Sequence, residues 1–245
     1  MKKRFFYSFA FIGALLLNGC NGKNANAPET NSVRSSQNLT ECKVTVNGLT
    51  FDYALNEADQ LVTVLENGSI KIKCPEGKDF FCDPNDGKLS NNTLPMLLKK
   101  VDNTQPFTLT AKVTPEFTEE GLYNAADLLV YANDTVFQKF CFEQDERGNH
   151  RIVTVRTQGT SDDNNHDVVN EPSVYMKISS DTHTIASYYS TDKQEWHMVR
   201  LYKNNYPAVL YVGIASQCPV KGECTSIFEE IALNHNNVTD FRMGE

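Results

Sequence analysis

From Cys42 onward the chain is a succession of short alternating runs separated by turn residues, with no long helical period between them. "GSIKIKC" alternates at Ile70 and Ile72, and "PFTLTAKV" at Phe107, Leu109, Ala111 and Val113. "DLLVYA", "VFQKFCFE", "RIVTVRT", "SVYMKIS", "TIASYYS", "WHMVRLY" and "AVLYVGIAS" follow. Most are rich in β-branched and aromatic residues, and most are bounded by Gly, Asn, Asp, Ser or Pro. An extended chain sends successive side chains to opposite faces, so a two-residue period is the mark of a half-buried strand. Strands with no helices between them bury their apolar faces on another sheet or by closing on themselves. The reading is therefore all-β: an antiparallel sandwich or barrel. Two short segments, residues 93–99 and 119–124, are expected to be helical.

The alternation also assigns faces. In "QKFCFE", Phe140 and Phe142 share one face, and Lys139, Cys141 and Glu143 share the other. In "IVTVRT", Val153 and Val155 lie opposite Thr154 and Arg156. Each strand thus has an apolar face and a second face that holds a charge.

The N-terminal residues belong to no fold. Lys2, Lys3 and Arg4 precede an apolar run from Phe5 to Leu17 that ends in Leu17-Asn18-Gly19-Cys20. That run suits a secretory segment and is short of the roughly 18 residues a membrane span needs. A small residue directly before a cysteine resembles the lipobox of bacterial lipoproteins. The resemblance implies cleavage after residue 19, acylation of Cys20 and a membrane contact made through that anchor. Residues 20–40 are polar and read as a flexible tether, which leaves 41–245 as one domain. Localisation is then the bacterial cell envelope, with the outer membrane expected.

Loss of the leader takes the net charge from −8 to −11, and no basic block remains. That excludes nucleic acid as a partner, since phosphate neutralisation supplies most of such affinity. Of the 7 cysteines, Cys20 is the lipidation site. An even remainder in an exported chain reads as disulfides, with a local bridge expected between Cys74 and Cys82, which flank a turn-rich segment.

Longer stretches carry a second resemblance. "DFFCDPNDGK", "FTLTAKVTPEF", "AADLLVYANDTVFQKFCFEQDERG", "IVTVRTQGTSDDNN", "ASYYSTDKQEWHMVR" and "VGIASQCPVKGECTSIFEEI" occur in this order. From about Leu49 to Leu233 the chain resembles a family of uncharacterised domains with the concanavalin A-like lectin/glucanase fold. The resemblance implies a jelly-roll sandwich of two antiparallel sheets, one of them curved, and no established activity. Lys193 stands where that family commonly has Gly, in a turn at residues 190–194. Trp196, just beyond, is expected in the inter-sheet core, where a Trp buries 150–250 Å².

The curved face of this fold class commonly holds sugars, which need flat rings for stacking and polar groups for their hydroxyls. On the motifs above, the expected ligand-binding residues are Tyr131, Glu143, Arg156, Asp162, Asp163, Asn164, Tyr189, Arg200 and Gln217. Arg156 is expected beside Glu143, with Asp162–Asn164 in a loop folding over the rim. Three rival expectations stand beside carbohydrate binding. A glycoside hydrolase of this fold uses E-x-D-x-x-E; here Glu143 and Asp145 match, but position 148 is Gly. Asp163, Asn165 and Asp167 alternate oxygen ligands in a way that suits Ca²⁺, yet Val168 replaces the glycine an EF-hand loop needs, so no cofactor or metal is expected. A structural envelope lipoprotein without a small ligand is the last.

Overall fold

The computed structural model describes residues 38–245. The expected leader, Cys20 and most of the expected tether lie outside the described residues. In chain order the strands are β1 (Leu39–Val46), β2 (Leu49–Leu55), β3 (Val62–Val64), β4 (Ile70–Pro75), β5 (Phe80–Phe81) and β6 (Asn91–Asn92). Then come β7 (Met96–Asp102), β8 (Phe107–Pro115), β9 (Ala125–Asn133), β10 (Val136–Gln144), β11 (His150–Gln158) and β12 (Thr160–Val168). The last are β13 (Val174–Ser180), β14 (Thr184–Ser190), β15 (His197–Lys203), β16 (Val209–Gln217) and β17 (Glu223–Asn234).

An 8-stranded sheet has the order β1-β2-β7-β16-β9-β10-β11-β12, and a 7-stranded sheet the order β15-β14-β13-β8-β17-β4-β3. Every pairing is antiparallel. The expected all-β sandwich is what the chain forms. Its core lies between the two sheets: Leu128, Val130, Phe140, Phe142, Val212 and Ile214 from the larger meet Leu109, Val113, Met176, Ile178, Ile185 and Phe228 from the smaller. Burying each such side chain contributes roughly 1.5–3 kcal/mol. The face assignments within β10 follow the alternation, since Phe140 and Phe142 enter this core.

Several expectations are corrected. Residues 93–99 run into strand β7, not a helix. Met96, Leu97 and Leu98 are all fully buried, because β7 is covered on both faces, and such a strand has no two-residue period to read. Residues 119–124 form turns, and the single short 3-10 helix of the described residues lies elsewhere, at Ala58–Leu61. The segment 162–164 is no loop. It belongs to β12, an edge strand that pairs Asp162 with Arg156 and Asp163 with Val155. Its polarity conceals it in the sequence, and charge on an edge strand guards against further pairing. Gly159, at φ 80°, makes the tight turn that lets β12 follow β11 directly.

The turn at 190–194 does join β14 to β15, and Lys193 adopts φ 65°, the left-handed geometry for which Gly is the easier residue. Trp196, however, is not between the sheets. It packs on the outer side of the 7-stranded sheet with Tyr188, Met198, Val238 and Phe241, and the Lys177 ammonium lies 3.6 Å from its ring centroid. The final residues of the chain cover that side, where the sequence shows only a short polar tail.

The expected Cys74–Cys82 bridge is also overturned. All six cysteines of the described residues are free thiols. Cys74 faces Cys224 across β4 and β17 and clusters with Cys218, whereas Cys82 packs in a different apolar cluster.

Candidate functional site

The outer side of the 8-stranded sheet is divided by one crossing segment. Lys78 pairs with Cys218 just past β16, and Cys82 exchanges hydrogen bonds with Ser161 on β12. Between those anchors, Phe80 seals an apolar half with Leu55, Met96, Leu98, Leu129, Tyr131 and Phe137. The other half remains open as a groove of about 440 Å³. Its lining includes Asp79, Phe81, Tyr123, Lys139, Glu143, Asp163, Asn165 and Gln217.

A chain of hydrogen bonds runs along the groove floor. The Lys139 ammonium donates to Asp79 Oδ1 at 2.5 Å and to Gln217 Oε1 at 2.8 Å. Gln217 Nε2 donates in turn to Glu143 Oε2 at 3.0 Å and to the Tyr123 carbonyl at 2.8 Å. Both polar ends of Gln217 are thereby committed, and it fixes its neighbours in place. Asp127 shares this side of the sheet, between Cys141 on β10 and Ala215 on β16. It is wholly buried, and neither carboxylate oxygen has a hydrogen-bond partner.

Burial pushes the Asp127 carboxyl up to about 7, although the Lys139 ammonium opposes the rise. Burial likewise lifts Glu143 well above the usual carboxylate range; Lys139 pulls it back, and Asp163, Asp127 and Asp79 lift it further. Lys139 itself loses from burial but is held above the ordinary lysine range, first by Asp79. The floor therefore presents a Glu143 carboxyl that holds its proton more tightly than usual beside the Lys139–Asp79 ion pair.

Tyr123 forms part of the wall. Its backbone is left-handed at φ 61°, uncommon for a residue with a Cβ, and the residue is 38% exposed. The conformation is held from both sides: the Tyr123 amide donates to the Gln144 carbonyl at 2.9 Å, and its own carbonyl accepts from Gln217. Strain of this kind persists where the surroundings over-determine it, and it is concentrated at functional sites.

Of the residues expected in one site, the structure brings together Glu143, Asp163 and Gln217. Arg156 is on the opposite side of the sheet from Glu143. The register pairs Glu143 with Arg151 and Arg156 with Gln138, five positions along, and an odd offset reverses the face. The Arg156 guanidinium instead lies 4.6 Å from the Tyr202 ring, toward the smaller sheet. Asp162 and Arg200 pair at 3.3 Å at the same end of the sandwich, and Asn164 lies on the Asp162 side of β12, opposite Thr154. Tyr189 is buried in the core, its hydroxyl donating to Asp167 at 2.7 Å and its ring stacked on His197. Tyr131 is sealed under Phe80, with its hydroxyl donating to Asp134 at 2.7 Å. Asp145, the second acid of the hydrolase pattern, is committed to its own hairpin. Burial alone would raise it, but hydrogen bonds from Asn149, Arg147 and Arg151 bring it to about 2. Among the described residues no group of three or more His, Cys, Asp or Glu is arranged to hold a metal ion.

Asp79, Tyr123, Asp127 and Asn165 join the site without having been expected in it. Lys139 is legible in the sequence, since it shares a face with Glu143. Asp79 arrives from a remote crossing segment and leaves no local signal.

Residues 55–236 match the family described as a protein of unknown function, DUF1349. The chain belongs to that family. None of the curated proteins matches this DUF1349 chain. Among solved structures, a functionally unknown protein from Saccharomyces cerevisiae is similar at 22% identity and a TM-score of 0.67, over 76% of this chain and 96% of the yeast chain. A GH43 protein from Bacillus licheniformis aligns at 14% identity and a TM-score of 0.57, over 82% of this chain. A xylan β-1,4-xylosidase from Bacillus halodurans aligns at 15% identity and a TM-score of 0.54, over 84% of this chain. The DUF1349 chain spans only 40% and 41% of those two bacterial proteins. At these identities the likeness establishes the concanavalin A-like sandwich.

Proposed function

We propose that the chain is an exported lipoprotein, tethered to the cell envelope through an acylated Cys20, whose sandwich binds saccharide in the groove of the larger sheet. The observation that carries the binding reading is the groove itself. An exposed Tyr123 ring, held in a left-handed backbone, stands beside Phe81 and over a floor of fixed polar groups. Flat rings with a few oriented donors and acceptors suit a sugar, whose faces are apolar and whose rim is hydroxyl. The bacterial structures that share the fold include one named as a xylosidase, which supports a carbohydrate ligand.

The test is calorimetry of oligosaccharides from a glycan screen against the intact chain and two variants. Tyr123→Ala is expected to weaken binding by roughly 1–3 kcal/mol, the range for losing a buried aromatic or polar contact. Glu143→Gln should fold normally and weaken binding through the lost carboxyl. The wild type should release no reducing ends from the bound oligosaccharide; release would favour a hydrolase on the same groove. Affinity unchanged in both variants would sink the site assignment.

For the anchor, Cys20→Ser is expected to abolish metabolic lipid labelling and free the protein from membranes. Two or three acyl chains hold far better than one, at about 0.8 kcal/mol per buried methylene. Unaltered partition into detergent after that change would contradict the tether.

A further inference from the structure

The groove has more acid than base, and the imbalance bears on which saccharide it admits; this inference rests on the saccharide reading above. Lys139 is buried and spent on Asp79. At the rim, Lys88 engages Asp86 and Arg147 engages Glu146. Glu143 and Asp163 also line the groove, and among the described residues neither has an ion-pair partner. Tyr123 lines the same groove as both of these carboxyls and as Glu146. A second observation points the same way: the Tyr123 ring, 38% exposed and part of the same lining, gives a cation an aromatic face. The groove thus sets two carboxyl groups that lack an ion-pair partner among the described residues beside an accessible ring.

We propose that the groove selects saccharides bearing a free primary amine, with the ammonium set between Glu143 and Asp163 and against the Tyr123 ring. An ammonium donates charge-assisted hydrogen bonds to carboxylates and is drawn to an aromatic face. Its arrival favours the ionised form of Glu143, which releases its proton to solvent as the cation settles beside it. Acetylation of the amine removes the charge and adds bulk. A uronate would bring a carboxylate to a groove whose buried cation, Lys139, is already paired with Asp79, and charge mismatch of this kind excludes ligands.

The experiment compares four tetrasaccharides by calorimetry at physiological ionic strength: β-1,4-linked glucosamine, N-acetylglucosamine and glucose, and a galacturonate. The glucosamine form is expected to bind at least about tenfold more tightly than its acetylated counterpart. The galacturonate should be the weakest of the four. The net negative charge of the chain would attract any polyamine, so two charge-matched variants separate site from background. Glu143→Gln with Asp163→Asn is expected to erase the preference. Glu41→Gln with Glu66→Gln, both exposed and remote from the groove lining, should keep it. Equal affinity for the amine and acetylated forms, or a preference that survives the groove pair, would overturn the inference while leaving saccharide binding intact. Binding of none of the four, together with an empty glycan screen, would overturn both.

Discussion

Replacing Lys139 with Met is expected to destabilise the fold by about 3–5 kcal/mol, the range for removing one partner of a buried charge pair. The Lys139 side chain is 3% exposed, and its ammonium is the cation that Asp79 and Gln217 meet on the groove floor. Without it, Asp79 keeps only the Phe80 amide as a donor, Gln217 Oε1 loses its partner, and Asp127 and Glu143 lose their compensating cation. The Lys139 side chain is long and largely apolar along its stem, so Met fills most of its volume, and the loss is electrostatic. A second change isolates the cause. Lys139→Met combined with Asp79→Asn removes both charges, and should recover a measurable part of the loss. Because Lys139 is held above the ordinary lysine range, its contribution is fully present in acid and neutral solution. It is lost only as pH climbs past that range. Urea unfolding of the wild type, the single variant and the double variant makes the comparison. A single variant within about 1 kcal/mol of wild type would refute the buried network.

The second large effect is in pH dependence, through Asp127→Asn. Burial raises the Asp127 carboxyl to about 7 in the folded protein, against about 3.9 in an unfolded chain. Between those values the folded state binds the extra proton, so its stability falls as pH rises through that window. Asn cannot ionise. At about pH 4 the wild type and the Asp127→Asn variant should be equally stable to within about 1 kcal/mol. By about pH 8 the variant should be more stable by about 2–4 kcal/mol, as the shift implies. Glu143 adds a slope of the same sign, but it is present in both proteins and cancels in the difference. Parallel stability curves from acid to pH 8 would show that Asp127 is not the buried acid described above.

How much of this is legible in the sequence is best seen strand by strand. β10 and β11 can be read from alternation, and so can the placing of Lys139 and Glu143 on one face. What alternation cannot supply is the register between strands. Arg156 and Glu143 look like neighbours because each lies on a charged face of its own strand, and the pairing Gln138–Arg156 turns those faces apart. β12 escapes notice because TSDDNNHDV has no apolar side to reveal it. Its strand character comes from the ladder offered by β11. β7 misleads for the opposite reason, being apolar on both sides. The groove owes its floor to β9, β10 and β16, which are legible one at a time. Its roof and the Asp79 contact depend on a segment anchored at Cys218 and Ser161, far away in sequence. The unusual backbone of Tyr123 is likewise a product of tertiary hydrogen bonds to Gln144 and Gln217.

A crystal structure of residues 38–245 soaked with the tightest oligosaccharide from the glycan screen tests the central claim most directly. The account predicts sugar density on the outer side of the larger sheet, with one ring against Tyr123 and hydroxyl or amine groups within hydrogen-bond reach of Glu143 and Asp163. Density at the Arg156–Arg200 end of the sandwich, or on the Trp196 side of the smaller sheet with the groove left empty, would contradict it.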